Sequence, residues 1–238
     1  FVTNQIFSAF GISVSRTLLQ TVFSVFCTSM LAYALSRKEF VLKKPLTSIL
    51  VVSMYVSAGI IPNYMLIKNL GLLNNYMVYI IPNLVDVFNF ILVRTYINGL
   101  PDSFVESARI DGANEFKIFL EIIMPLIVPS IAMICLFVAV GAWNSWFDTY
   151  LYASARPKLY SLQYVLMQFL NSSQNQSNSA ADANSMAVAA ASGSTAAMVT
   201  PIALRSSITV IATLPILVVY PFMQKYFIVG MTIGGVKE

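Results

Sequence analysis

The sequence contains no histidine and little charge of either sign. Asp, Glu, Lys and Arg make up only 10% of its 238 residues, against about 25% in soluble globular domains. With histidine absent, the commonest general base and the commonest metal ligand are both missing. The two cysteines, Cys27 and Cys135, lie in different apolar runs. A disulfide or metal pair is open to them, but thiols in apolar runs behave first as small packing groups. Neither a GxxxxGK[ST] phosphate loop nor a GxGxxG occurs, so any ATP used by the protein falls to another subunit. No acids or cysteines cluster at a membrane face, which leaves no catalytic constellation for a membrane enzyme. The expectation is a non-catalytic chain.

What fills the sequence instead is apolar: 58% of residues are hydrophobic and the mean hydropathy is +0.75. Crossing roughly 30 Å of hydrocarbon takes about 20 apolar residues in a helix. Five runs qualify: Thr17–Leu35, Leu46–Leu66, Tyr76–Ile97, Leu126–Trp146 and Ser207–Met223. They predict an all-α polytopic membrane protein with five visible transmembrane helices. The second run is the least clean, because Pro62 and Asn63 interrupt it. The net charge of +4 is small, and much of it gathers between apolar runs. That pattern points to orientation in membrane lipid rather than to nucleic acid.

Short loops set the orientation. The first connection carries Arg37, Lys38, Lys43 and Lys44 against Glu39, so it is expected on the cytoplasmic side. Alternation then places Asn98–Pro125 inside, the loop of residues 149–205 outside and the tail Gln224–Glu238 inside, where Lys225 and Lys237 agree. An outside N-terminus without a signal peptide predicts a further helix upstream of Phe1. In the outer loop, Leu159–Leu170 reads as a short apolar helix. Asn171–Thr200, rich in Ser, Asn, Ala and Gln, is either a mobile linker or a surface ordered by an external partner. The repeat of Ile60-Ile61-Pro62-Asn63 as Ile80-Ile81-Pro82-Asn83 is too short to mean duplication.

The inside segment is the most informative. Asp102 or Ser103 can cap a helix opening at Phe104, and Ser103 with Glu106 has capping-box spacing. Val105, Ala108 and Ile110 supply apolar surface, and Gly112 allows a turn. Phe116, Phe119, Leu120 and Ile123 follow at helical spacing, and Pro125 precedes the next span. This is a docking element or an amphipathic connector on the lipid surface; five acids against two bases argue against anionic lipid.

Polar residues within the spans are the other candidates. Asn83, Asp86 and Asn89 lie in the third run, and an ionised Asp there belongs against a bundle interior or a water-filled path. They either line a substrate route or make structural contacts between helices. Arg94 is expected to snorkel toward the inner surface. Trp143, Asn144, Trp146 and Asp148 gather at the outer end of the fourth run. They suit either stacking on a sugar ring or an interfacial aromatic belt and bundle packing.

Glu106-Ser107-Ala108, Gly112 and Met124-Pro125 resemble the EAA loop of ABC importer permeases, with Ser107 for the usual alanine and Met124 for the usual leucine. Asp111-Gly112-Ala113 with Phe116 looks like the carbohydrate-uptake, maltose-type branch. Ala32–Arg37, Trp143–Trp146, Lys158–Gln163 and Leu214–Phe227 are similar to other parts of a subgroup importing oligosaccharides and polysaccharide fragments. The resemblance implies one transmembrane permease domain over residues 1–238, five helices of a six-helix fold, in a bacterial cytoplasmic membrane. Residues 102–125 would be its cytoplasmic coupling segment, and 149–205 an extracytoplasmic loop. Glu106, Ser107, Ala108, Asp111, Gly112, Ala113 and Pro125 would then engage an ATPase. The implied partners are a second permease, two ATP-binding subunits that use ATP and Mg, an extracytoplasmic solute-binding protein and an oligosaccharide substrate. A secondary transporter or channel is the competing expectation, but it has no need of such a docking segment.

Overall fold

The computed structural model describes residues 2–179 and, beyond them, Val210, Thr213, Pro215 and Leu217, which are helical. Every regular element among the described residues is a helix. The helices are α1 (Val2–Ser36), α2 (Lys43–Tyr55), α3 (Ile60–Asn69), α4 (Val87–Asn98) and α5 (Ser103–Ile110). They continue with α6 (Glu115–Leu126), α7 (Val128–Asn144), α8 (Phe147–Tyr152) and α9 (Leu162–Ser179).

α1 is the axis of the fold. Its 35 residues hold no proline and rise about 1.5 Å each, more than a bilayer core needs. It packs most extensively against α7 and then α4. Val25, Ala32 and Leu35 of α1 meet Phe90, Val93 and Ile97 of α4, Phe119 and Ile123 of α6 and Ile134 of α7 in one buried cluster. Ala32 is fully buried, and small residues of this kind let helix backbones approach closely in lipid. Cys27 and Cys135 are half-buried free thiols.

Three of the expected spans differ from plain helices. Leu46–Leu66 is divided between α2 and α3 by Val56–Gly59, and Gly59 takes φ +87° there. Neither piece is long enough to cross alone. Tyr76–Ile97 opens as two 3₁₀ turns, Tyr76–Tyr79 and Ile81–Asn83, before α4, with a 46° bend. Pro82 lacks the N–H a helix requires there, and Asp86 caps α4 by accepting from the Asn89 amide at 2.8 Å. Leu126–Trp146 is split near its start: Leu126 ends α6, and α7 begins at Val128 after an 83° bend at Ile127. A π turn over Phe119–Ile123 lies just before Pro125, widening the helix where the proline ring would crowd the preceding turn. Among the described residues, Gln5–Ser36 of α1 is the one helix long and apolar enough to cross a membrane by itself.

The predicted helix at Leu159–Leu170 runs instead over Leu162–Ser179, carrying helix into the polar stretch after Asn171. The rest of that stretch, and the Ser207–Met223 run apart from its four placed residues, lie outside the described residues.

Candidate functional site

A cavity of about 670 Å³ opens beside α1, within the roughly 300–1,000 Å³ typical of small-molecule sites. α1 contributes Arg16, Gln20 and Ser24; the broken third span contributes Asn83, Asp86 and Asn89; Ser145 comes from the α7–α8 connection and Asp148 from the first turn of α8. The α1 residues belong to a longer stripe. Ser13, Arg16, Gln20, Ser24 and Thr28 are all buried and recur every three or four positions, which places them on one helix face.

Arg16 is the least expected member. Its side chain is 1% exposed and its Nη2 donates to Asp148 at 3.3 Å. The guanidinium carbon sits 4.5 Å from the Tyr79 ring centroid. Nε and Nη1 have no hydrogen-bond partner among the described residues. Asn89 Oδ1 and Gln20 Oε1 are likewise buried and unpaired. Asn83 donates to the Tyr79 carbonyl at 3.2 Å, and Asp86 faces the cavity from the break before α4. The wall thus offers buried donors and acceptors with unfilled capacity, the chemistry that recognises a polyhydroxylated ligand.

The group at Trp143, Asn144 and Trp146 divides. Trp143 is 6% exposed and packs edge-on against Phe10 with Leu162 and Leu166 nearby. That is bundle packing. Trp146 is exposed in an aromatic group with Phe147 and Tyr150, and Asn144 accepts from Gln163 at 3.4 Å. Neither lines the cavity. Arg94 is partly buried, 6.0 Å from the Phe90 ring centroid.

At the other end of α1, α5 turns one face inward. Val105 and Ala108 are buried against the main cluster, whereas Phe104, Glu106, Ser107 and Ile110 stay exposed. Ile110, grouped with Val105 and Ala108 in the sequence, points the opposite way and is 86% exposed. The capping box does not form: Asp102 is the cap residue without a capping hydrogen bond, and its carboxylate pairs with Lys38 instead. α5 ends where Gly112 adopts φ +81°, with the Ala113 amide bonded back to Ala108 and that of Gly112 to Arg109. This is the Schellman pattern, which needs a left-handed residue. Asp111 is exposed before the turn and Ala113 half-buried after it. Asn114 then caps α6 by accepting from the Lys117 amide at 2.8 Å, and Pro125 stands exposed near the end of α6.

A charged clamp holds α5 to α1. Arg109 reaches Glu39, just past α1, and Glu115 at 2.7 and 2.9 Å. Tyr33 of α1 donates to Glu115 at 2.7 Å, and Arg37 lies over the Tyr33 ring. The Arg109 hydrogen bond holds the Glu39 carboxyl at about 2. Burial would raise Glu115, but hydrogen bonds from Tyr33 and Arg109 outweigh it and keep it below the usual range. Depressed carboxyls contribute fully above their ordinary range and lose that contribution only as pH falls toward the depressed values. The clamp is therefore constant across physiological pH.

Among the described residues, no group of three or more His, Cys, Asp or Glu could hold a metal ion.

Residues 17–232 match the family described as binding-protein-dependent transport system inner membrane component. The polygalacturonan/rhamnogalacturonan transport system permease protein YtcP of Bacillus subtilis (strain 168) is 37% identical over all of this chain and 79% of its own length. LplC of the same organism is 37% identical over all of this chain and 76% of its length. The arabinooligosaccharides permease protein AraQ, also from B. subtilis, is 28% identical over 92% of this chain and 70% of its own. Among solved structures, a bacterial ABC transporter involved in import of the acidic polysaccharide alginate superposes with TM-score 0.77 and 28% identity. That match covers 94% of this chain and 75% of the other. The bent spans, the polar cavity and the α5–Gly112–α6 element thus sit on a known permease scaffold, and the chain belongs to the family of inner-membrane components of binding-protein-dependent ABC import systems.

Proposed function

We infer that the chain carries oligosaccharide through the α1 cavity and is driven by ATPase subunits that grip α5. The observation that carries this reading is mechanical. One uninterrupted helix, α1, lines the cavity with Arg16, Gln20 and Ser24 and is clamped at its far end to α5 through Tyr33, Glu115, Arg109 and Glu39. A displacement of α5 is transmitted to the cavity wall without a hinge between them. A bound partner shifts such an equilibrium only through contacts that differ between its two states.

In this reading Glu106 is the polar anchor on the exposed face of α5, with Ile110, four residues on, as its apolar neighbour. Asn83, Asp86 and Asn89 join the α1 stripe as the substrate path. A second permease supplies the other half of the path, two ATP-binding subunits use ATP and Mg, and a solute-binding protein delivers substrate from outside. The oligosaccharide and polysaccharide names of the relatives support the cargo class. Family membership stands against a secondary transporter or channel.

Co-expression with the ATPase and pull-down tests the reading. Glu106→Lys is expected to abolish ATPase capture while leaving membrane insertion intact. ATP-independent uptake by this chain alone would overturn it.

The clamp has its own expected result. Arg109 is 36% exposed and its acids more so, and exposed ion pairs add little stability. Arg109→Gln should therefore leave thermal stability nearly unchanged. Loss of the α5–α1 connection is expected to lower substrate transported per ATP by roughly fivefold, the scale of a coupling free energy near 1 kcal/mol. Equal loss of thermal stability and transport would contradict a specific role in coupling.

A further inference from the structure

We propose that Arg16 is a carboxylate-reading residue of the cavity and that the cargo is an acidic oligosaccharide bearing uronate groups. This rests on the oligosaccharide reading and narrows it. A guanidinium has five N–H donors, and a buried one left under-satisfied is costly. Arg16 is 1% exposed, yet within the described residues it makes one hydrogen bond, from Nη2 to Asp148 at 3.3 Å. That is long beside the roughly 2.7–2.9 Å of a strong charge-assisted bond. Nε and Nη1 remain without partners.

Asp148 is poised to give way. Its side chain is 29% exposed, it lines the same cavity, and it already accepts from Ser145 Oγ at 2.6 Å. On releasing Arg16 it keeps a hydrogen-bond partner. A substrate carboxylate arriving from the cavity then takes its place at Nη2 and engages Nη1 as well, the end-on paired geometry that a planar carboxylate fits. Neutral sugars offer no such exchange: a hydroxyl replacing Asp148 would leave the buried cation without a counter-charge. Gln20 Oε1 and Asn89 Oδ1, both buried and unpaired on the same wall, remain to accept from ring hydroxyls. Asp86 and the released Asp148 both line the cavity and repel a carboxylate, so the guanidinium accommodates one uronate group, and Asp148→Asn removes the nearer repelling charge.

The test uses the complete transporter in proteoliposomes, with the second permease, the ATPases and the binding protein. The probes are trigalacturonate, its methyl ester and maltotriose, and the readouts are uptake and stimulated ATP hydrolysis. The binding protein is common to all variants, so its own preference cancels when acid-to-ester ratios are compared. Arg16→Gln is expected to lower trigalacturonate uptake about ten- to a hundredfold, the weight of hydrogen bonds to a charged group, and methyl-ester uptake less than threefold. Asp148→Asn, which removes the competitor, is expected to raise the acid-to-ester ratio several-fold. An equal fall for acid and ester in Arg16→Gln, or an unchanged ratio in Asp148→Asn, overturns the proposal. Wild-type stimulation by maltotriose but not trigalacturonate overturns it while leaving the oligosaccharide reading standing. Stimulation by none of the three counts against both.

Discussion

Ile110→Asp is expected to cost this chain its ATPase. Ile110 is 86% exposed on a helix whose other apolar residues, Val105 and Ala108, are buried in the bundle. Phe104, six residues earlier, is 45% exposed on the flank of the helix, about 120° around from Ile110. A large apolar side chain held this far exposed on the face opposite the buried one suits insertion into a partner's groove. Truncating a central interface anchor typically costs 2 kcal/mol or more, about thirtyfold in affinity. An aspartate adds the desolvation of a charge, so capture in pull-down should fall by about a hundredfold or more. Val105→Ala is the contrasting variant: it perturbs the buried face, so stability should fall more than ATPase affinity at equal folded protein. Unchanged capture by Ile110→Asp would mean that the outward face of α5 is not the docking surface.

Much of this architecture was legible in the sequence, and the exceptions have physical causes. Among the described residues, apolar content picked out one whole span, in α1, and two runs that pass only as bent helix pairs. It did not separate whole helices from broken ones, since a break at Val56–Gly59 or Pro82 leaves mean hydropathy unaltered. Asp86, expected as a costly group within a span, lies in the break between the two pieces of the third run. Its part in capping α4 depends on backbone geometry that composition does not encode. The α1 stripe was missed because the first run was begun at Thr17, one residue beyond Arg16. Its signal was present as the spacing of Ser13, Arg16, Gln20, Ser24 and Thr28. The clamp was not legible at all, since Glu39 and Arg109 lie 70 residues apart and meet only through the packing of α4 and α6 on α1.

The α5 segment shows the opposite balance. The sequence placed its helix, its glycine turn and its continuation into the next span. What it left open was direction, which decides whether Ile110 helps hold the bundle or faces a partner. The burial of Val105 and Ala108 assigns the inward face to packing and leaves Ile110 on the opposite, exposed face, the one proposed to meet the ATPase. Arg109, lying between the two faces, is free to reach both Glu39 and Glu115.

Gly112→Pro is expected to abolish substrate-stimulated ATP hydrolysis while Gly112→Asn retains it. Gly112 has φ +81°, and a Cβ built there meets nothing within 4 Å. Space is therefore not the constraint; backbone conformation is. An alanine would cost about 1–2 kcal/mol for the left-handed region, whereas asparagine enters that region more readily. Proline cannot enter it, because its ring holds φ near −65°, and it also deletes the amide that bonds to the Arg109 carbonyl. The turn then fails, and with it the bond from the Ala113 amide to Ala108 that ends α5. α5 loses its angle to α6, and Arg109 and Glu115, which flank the turn, lose their register. Since α6 leads directly into the 83° bend before α7, the loss reaches the helix that packs most against α1. The measurement is ATP hydrolysis by the reconstituted transporter at equal chain content, with trypsin accessibility near Arg109 reporting the turn. A Gly112→Pro protein that hydrolyses ATP like wild type would show that the left-handed turn plays no part in coupling.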